Sequence, residues 1–168
     1  MKTLVSTQQQ SGLIRAVQAQ KRGRKFRSES AIGISSGGRT TKIHAAVDGL
    51  GNSIYISLTA GQIHDSTQAI EILSRLNIEG SNILADKAYG TQEIQEYIEK
   101  QGAIYTIPPK SNTKDKWECD YYAYKKRYAV ECFFNRLKQY RRIATRYDKL
   151  ATSFMNFIYI GCIMILIK

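Results

Sequence analysis

Apolar and polar residues alternate from Lys42 to Asp48 and again from Ser53 to Leu58, where Ile54, Ile56 and Leu58 share one side. Period-two alternation predicts strands, and the glycines and asparagine of residues 49–52 supply the turn of a β-hairpin. Asp48 is then a turn residue, and His44 falls on the polar side of its strand in a structural role. A helical pattern follows in Ile70, Ile72, Leu73 and Leu76. Asp65, with Gln68 three residues on, reads as its cap, and His64 as a loop residue. Ile83, Leu84 and Ala85 form a short apolar strand ending at Asp86, and Thr91 opens a helix through Glu99. Residues 103–107 predict another strand, stopped by Pro108 and Pro109. The loop after it holds Trp117, for which packing is the simplest task and stacking on an unpaired base another.

Tyr124 begins a longer amphipathic helix through Lys138, buried along Val130, Phe133, Leu137 and Tyr140. A last apolar run, residues 154–167, is interrupted by Asn156 and too short to span a bilayer; it reads as a buried helix closing the back of the sheet. Residues 2–7 could form a brief first strand, lost in the polar stretch Gln8 to Gly12. Strands alternating with helices after a hairpin describe a mixed α/β sheet.

Charge divides the chain. The net charge is +11, yet residues 41–109 carry eight acids against four Lys/Arg, whereas residues 1–40 carry one against eight and residues 110–149 five against twelve. An acidic centre between basic flanks suits a metal site inside a nucleic-acid-binding rim. Residues 1–40 read as a flexible basic arm whose Arg24 and Lys25 contact phosphate without reading sequence; residues 41–168 read as one folded domain. Cys119, Cys132 and Cys162 form no C-x-x-C pair, so reduced thiols in a cytoplasmic protein are expected. No secretory signal opens the chain.

The candidate chemistry lies in two carboxylates. Asp86 stands where a buried strand turns into a helix, the place where open α/β sheets put their chemistry. Glu131 lies on the long helix in a stripe with Tyr124, Arg127 and Lys138, within roughly 60° of one face at about 100° per residue; Asn135 and Arg141 extend it. Ion pairing within the stripe cannot satisfy so many cations, so an external polyanion is the natural partner. A structural reading, in which Asp86 caps a turn and the stripe is a solvated face, stands beside this one.

The spacing Y-x2-R-x3-E-x6-K over residues 124–138 resembles the signature of bacterial insertion-sequence DDE transposases, insertion-sequence-five type. In the same order stand GGRTTKIHAAVDGLGN (37–52), TAGQIHD (59–65), LADKAYG (84–90), IPPKSN (107–112) and RYDK (146–149). The resemblance implies an RNase H-like mixed sheet with helices on both faces. It matches Asp86 and Glu131 to the second and third catalytic, metal-binding acids, with two Mg²⁺ (or Mn²⁺) ions in a complete site. It matches Tyr124, Arg127 and Lys138 to the rest of the signature; with the cations Arg141, Arg142, Lys110 and Lys87 these are the expected DNA contacts. The implied partners are double-stranded DNA, as inverted-repeat ends and as target, and a second copy of the chain or an upstream-encoded transposase segment. The implied location is the bacterial cytoplasm, at the nucleoid, with no membrane association.

One departure bears on activity. The resemblance calls for a first aspartate on the first strand, and no Asp precedes Asp48. Val5, before Ser6 and Thr7, takes that place. Mutation, a late start codon or an upstream segment in another reading frame would each produce this, and two ligands of three should lower turnover by orders of magnitude. The alternative reading is therefore a non-catalytic DNA-binding remnant or subunit that competes with or complements a full-length transposase. A membrane-surface protein with a basic arm and an apolar tail is a third.

Overall fold

The computed structural model describes residues 11–20, 31–35, 38–113 and 116–167, the first of these as backbone. Its six strands form one mixed sheet: β1 (Ser11–Gln20), β2 (Gly33–Ser35), β3 (Gly38–Val47), β4 (Ser53–Ala60), β5 (Asn82–Ala85) and β6 (Ile104–Thr106). β1 lies at the centre, antiparallel to β3 and parallel to β5, which is parallel to β6. β4 runs antiparallel along the other edge of β3, and β2 pairs with the start of β3.

β1 corrects the sequence reading. Residues 11–20 were expected inside a flexible arm; they form a ten-residue strand with partners on both sides. Between two ladders a strand's order comes from its neighbours as much as from its own pattern, and here glutamines and an arginine interrupt the apolar positions. The brief strand expected over residues 2–7, with Val5, lies outside the described residues, as do Arg24 and Lys25.

The helices are α1 (Ala69–Ser74), α2 (Gln92–Lys100), α3 (Tyr121–Tyr124), α4 (Tyr128–Lys138), α5 (Arg141–Ala144) and α6 (Ala151–Leu166). They cover both faces of the sheet, because successive strand residues point to opposite sides. Ile43, Ala45, Val47 and Leu84 pack with Val130, Phe133, Phe134 and Leu137 of α4 and Phe154, Ile158, Cys162 and Ile165 of α6. Ala46, Ile83 and Ala85 pack instead with Ala69, Ile72 and Leu73 of α1 and Ile94 and Ile98 of α2. The expected α/β sheet with helices on both faces is therefore present.

Layers on both faces change two readings. His44 is fully buried, its Nε2 2.7 Å from Thr59 Oγ1, so the polar side of β3 is an interior side. Burial holds its pKa down at about 4, so the ring is neutral at neutral pH. Asp65 does not cap a helix: it pairs with Lys42 at 2.6 Å, while His64 occupies the cap of the short 3₁₀ turn Asp65–Gln68. α6 buries one face and leaves Tyr159, Ile160, Ile163 and Met164 exposed, so it is less enclosed than its composition suggested. Among the described residues no helix is long and apolar enough to cross a membrane.

Much of the shared GRTTKIH stretch serves as fastening. Thr41 Oγ1 accepts from the fully buried Arg146 and donates to the Ala31 carbonyl. Lys42 also donates to the Ile63 carbonyl, and the Gly61 N–H bonds the Thr40 carbonyl. A Cβ on Gly61 would stand 1.9 Å from Thr40 Oγ1, so only glycine permits this approach. The GRTTKIH, TAGQIHD and RYDK stretches are thus tied into one framework.

Candidate active site

β5 ends at Ala85 and delivers Asp86, in extended conformation and half-buried, to a 3₁₀ turn over Lys87–Tyr89. The Tyr89 N–H closes the turn on the Asp86 carbonyl at 2.9 Å, and the Asp86 side chain makes no capping bond there. Lys87 is exposed and Tyr89 buried. Gly90 follows where a Cβ would meet Trp117 Cζ2 at 3.2 Å and the Pro108 carbonyl oxygen at 3.3 Å. Trp117 donates from Nε1 to the Ile107 carbonyl at 2.7 Å. It packs close to Gly90 and ties the loop after β6 over the Asp86 turn. Lys110 lies half-buried in this loop, two residues past Pro108.

The loop leads to Asp120, whose carboxylate accepts from the Tyr122 and Ala123 N–H groups and starts α3. This cap was missed in the sequence, although an aspartate just before a helical pattern is a start signal. Between α3 and α4 the chain tightens into a 3₁₀ turn over Lys125–Arg127, with helical dihedrals throughout. The expected single helix is therefore a helical segment with one tight turn, and that turn packs against β5.

Arg127 organises this segment. Its Nη2 lies 2.5 Å from Glu131 Oε1, and its guanidinium carbon 5.3 Å from the centre of the Tyr124 ring. Burial raises the Tyr124 pKa, Arg127 lowers it in part, and the Asp86 charge raises it again. The tight turn that holds Arg127 packs against β5, so the Arg127–Glu131 pair and Asp86 stand on adjoining elements. Arg127 is four-fifths buried, and its Nε has no partner among the described residues.

Lys138 is exposed seven residues beyond Glu131, close to the same line of α4 and about 10 Å along it. Arg141 is not on that line. The helix stops at Lys138, Tyr140 is extended, and Arg141 opens the separate α5. Arg142 turns toward α6, with its guanidinium 4.1 Å from the Phe157 ring centre and 3.6 Å from Asp148.

Asp48 stands elsewhere. It accepts from the N–H groups of Leu50 and Asn52 and from the Asn52 side chain, so it is a turn residue. A Cβ on nearby Gly51 would reach Arg136 at 3.0 Å and the Ala129 carbonyl at 3.9 Å. Ala129 lies about 160° around α4 from Glu131, at two residues' separation. Asp48 therefore lies beside the opposite side of that helix. On β1, Ile14 pairs with Ala85, the last residue of β5. Among the described residues no group of three or more His, Cys, Asp or Glu is placed to hold a metal ion. Two carboxylates, with waters and substrate phosphate, suit a single Mg²⁺, which needs few protein ligands.

The chain belongs to the transposase DDE domain family, whose model matches residues 3–167. A protein of Brucella ovis, provisionally named as the transposase for insertion sequence element IS6501, is 38% identical over 133 residues, 77% of this chain and 99% of the relative. Solved structures give looser likenesses. A piggyBac transposase synaptic complex with hairpin DNA has TM-score 0.45 and 17% identity, over 62% of this chain and 24% of that one. A Mos1 transposase paired-end complex with the left transposon end has TM-score 0.40 and 12% identity, over 90% of this chain and 50% of that one. Scores below 0.5 are too low to define a shared fold. This chain spans about a quarter and half of those proteins.

Proposed function

We propose that this chain is the catalytic domain of an insertion-sequence-five-type DDE transposase, acting on DNA at inverted-repeat ends, with an RNase H-like fold. The sheet order supports the fold: an antiparallel trio of β4, β3 and β1 continues into the parallel trio β1, β5 and β6. The single observation that carries the function is the packing of the tight turn bearing Arg127, which pairs with Glu131, against β5, the strand that ends at Asp86.

Asp86 and Glu131 would together hold a divalent ion, Mg²⁺ or Mn²⁺. When bound, that ion supplies Lewis acidity to the scissile phosphate and acidifies an attacking water or 3′-hydroxyl. The chain's own residues bind and orient the DNA. Arg127, paired with Glu131, would also bind a phosphate oxygen, and the Tyr124 ring keeps its guanidinium in place. Lys138, farther along α4, holds a phosphate beyond the scissile bond. Lys87 and Lys110 flank the Asp86 turn and take neighbouring phosphates. Arg141, Arg142, Arg24 and Lys25 extend the contact without reading bases. Two ends must be held together, so a second copy is the mechanistic expectation, with the bacterial nucleoid as the place of action.

A second reading is DNA binding without cleavage. It is favoured by the absence of any acid before Glu29 in the sequence, where the resemblance calls for a first aspartate. A two-ion site then lacks a ligand, and turnover by this chain alone is slow or absent while affinity for ends remains. The test is Mg²⁺- or Mn²⁺-dependent nicking and strand transfer on a fragment carrying the inverted repeats, by this chain and by Glu131→Gln. Metal-dependent cutting lost in the variant supports the enzyme. Equal binding with no cutting by either supports the second reading.

A further inference from the structure

α3, the tight turn and α4 expose an unusual amount of aromatic surface. Tyr121 is 63% exposed, Tyr122 78% and Tyr128 66%, whereas Tyr89 in the neighbouring turn is buried. Lys125 and Lys126, both exposed, lie between them. Helical dihedrals continue through the segment, so residues seven apart stay close to one line, offset by roughly 40° where the tight turn intervenes. Tyr121 and Tyr128 form such a pair, two turns apart, roughly 10 Å along the axis. Tyr124 and Glu131 form the next, about 60° around the helix. α3 also packs against β6, the strand beside β5 in the sheet.

We infer that Tyr121 and Tyr128 are a stacking platform for unpaired bases of DNA, so that the site takes an end with splayed or single-stranded nucleotides in preference to a closed duplex. The inference rests on the DNA-binding reading above and adds the form of the substrate. Exposed tyrosine rings offer a flat apolar face to any base once it leaves its own stack, and interleaved cations hold the backbone between the rings. Phosphate at Arg127 and Lys138 with bases at Tyr121 and Tyr128 would lay one strand along the helix, its scissile bond at Glu131. Tyr122 lies about 100° further around from Tyr121, so it provides a control of equal chemistry outside the row.

The test is equilibrium binding of the full chain, with Ca²⁺ to prevent cutting, to a blunt duplex and to the same duplex with a short single-stranded extension carrying 2-aminopurine. The expected result is roughly tenfold or greater preference for the extended duplex, with quenching of the 2-aminopurine by stacking. Tyr121→Ala and Tyr128→Ala should each cut that preference about fivefold or more and restore the emission, while leaving blunt-duplex affinity unchanged. Tyr128→Phe should keep both, and Tyr122→Ala should change neither. Equal affinity of the unaltered chain for both duplexes overturns the platform and leaves DNA binding standing. An effect of Tyr122→Ala as large as that of Tyr121→Ala also overturns it. Failure to bind either duplex removes the DNA reading itself, and the platform with it.

Discussion

Arg127 grips Glu131 one helical turn away and lies over the ring of Tyr124, so one cation joins the carboxylate to the aromatic ring. A guanidinium in that position both screens the carboxylate and leaves an unpartnered Nε beside it. Arg127→Ala should weaken DNA binding by about 1–3 kcal/mol and lower the salt dependence by roughly one phosphate contact. Arg127→Lys should recover the salt dependence and only part of the affinity, since an ammonium lacks the planar fork. Titrations at several salt concentrations measure both.

His44 gives the fold a pH dependence. Its folded pKa is about 4 against an ordinary 6.5, so between those values the unfolded chain binds a proton that the folded chain refuses. The contribution is fully present above pH 6.5 and is lost as pH falls toward 4, on the order of 3 kcal/mol at most. Urea unfolding at pH 7.5 and 5 should show the loss, and His44→Gln should flatten it.

Arg146 spends its donors on Thr41 Oγ1 and on the carbonyls of Asp148 and Lys149, with Phe154 beneath it. Arg146→Ala leaves the buried Thr41 hydroxyl and two partly buried carbonyls without this donor and should destabilise the fold by on the order of 3 kcal/mol. The denaturation midpoint should fall. DNA affinity at temperatures where the variant stays folded should change little.

Trp117 is the chain's only tryptophan and a natural reporter. Gly90→Ala would push its Cβ toward the indole and the Pro108 carbonyl, so emission should shift to the red and DNA affinity should fall as the Asp86 turn loosens. An unchanged spectrum would mean that Trp117 does not close this loop.

Much of this arrangement is legible in the pattern of the chain. The hairpin, the strand ending at Asp86 and the helix carrying Glu131 were legible because each has a clean period and a clear stop. β1 was not, since its polar interruptions concealed a strand ordered by neighbours on both sides. His44 and Asp65 were read from local sequence alone, whereas Thr59 and Lys42 decide their surroundings across the sheet. Arg141 drifted off the stripe because the break at Tyr140 has no glycine or proline to announce it. The pairing of Arg127 with Glu131 was open to periodicity; the packing of the turn that holds Arg127 against β5 needed the fold.

The most direct test of the central claim, that Asp86 and Glu131 form one metal-dependent site on DNA, is strand transfer of an inverted-repeat end in Mn²⁺ by the unaltered chain, Asp86→Asn and Glu131→Gln at matched DNA occupancy. The account predicts weak metal-dependent joining by the unaltered chain, at least a hundredfold lower in either variant, with DNA still bound. Joining that survives in both variants would contradict it.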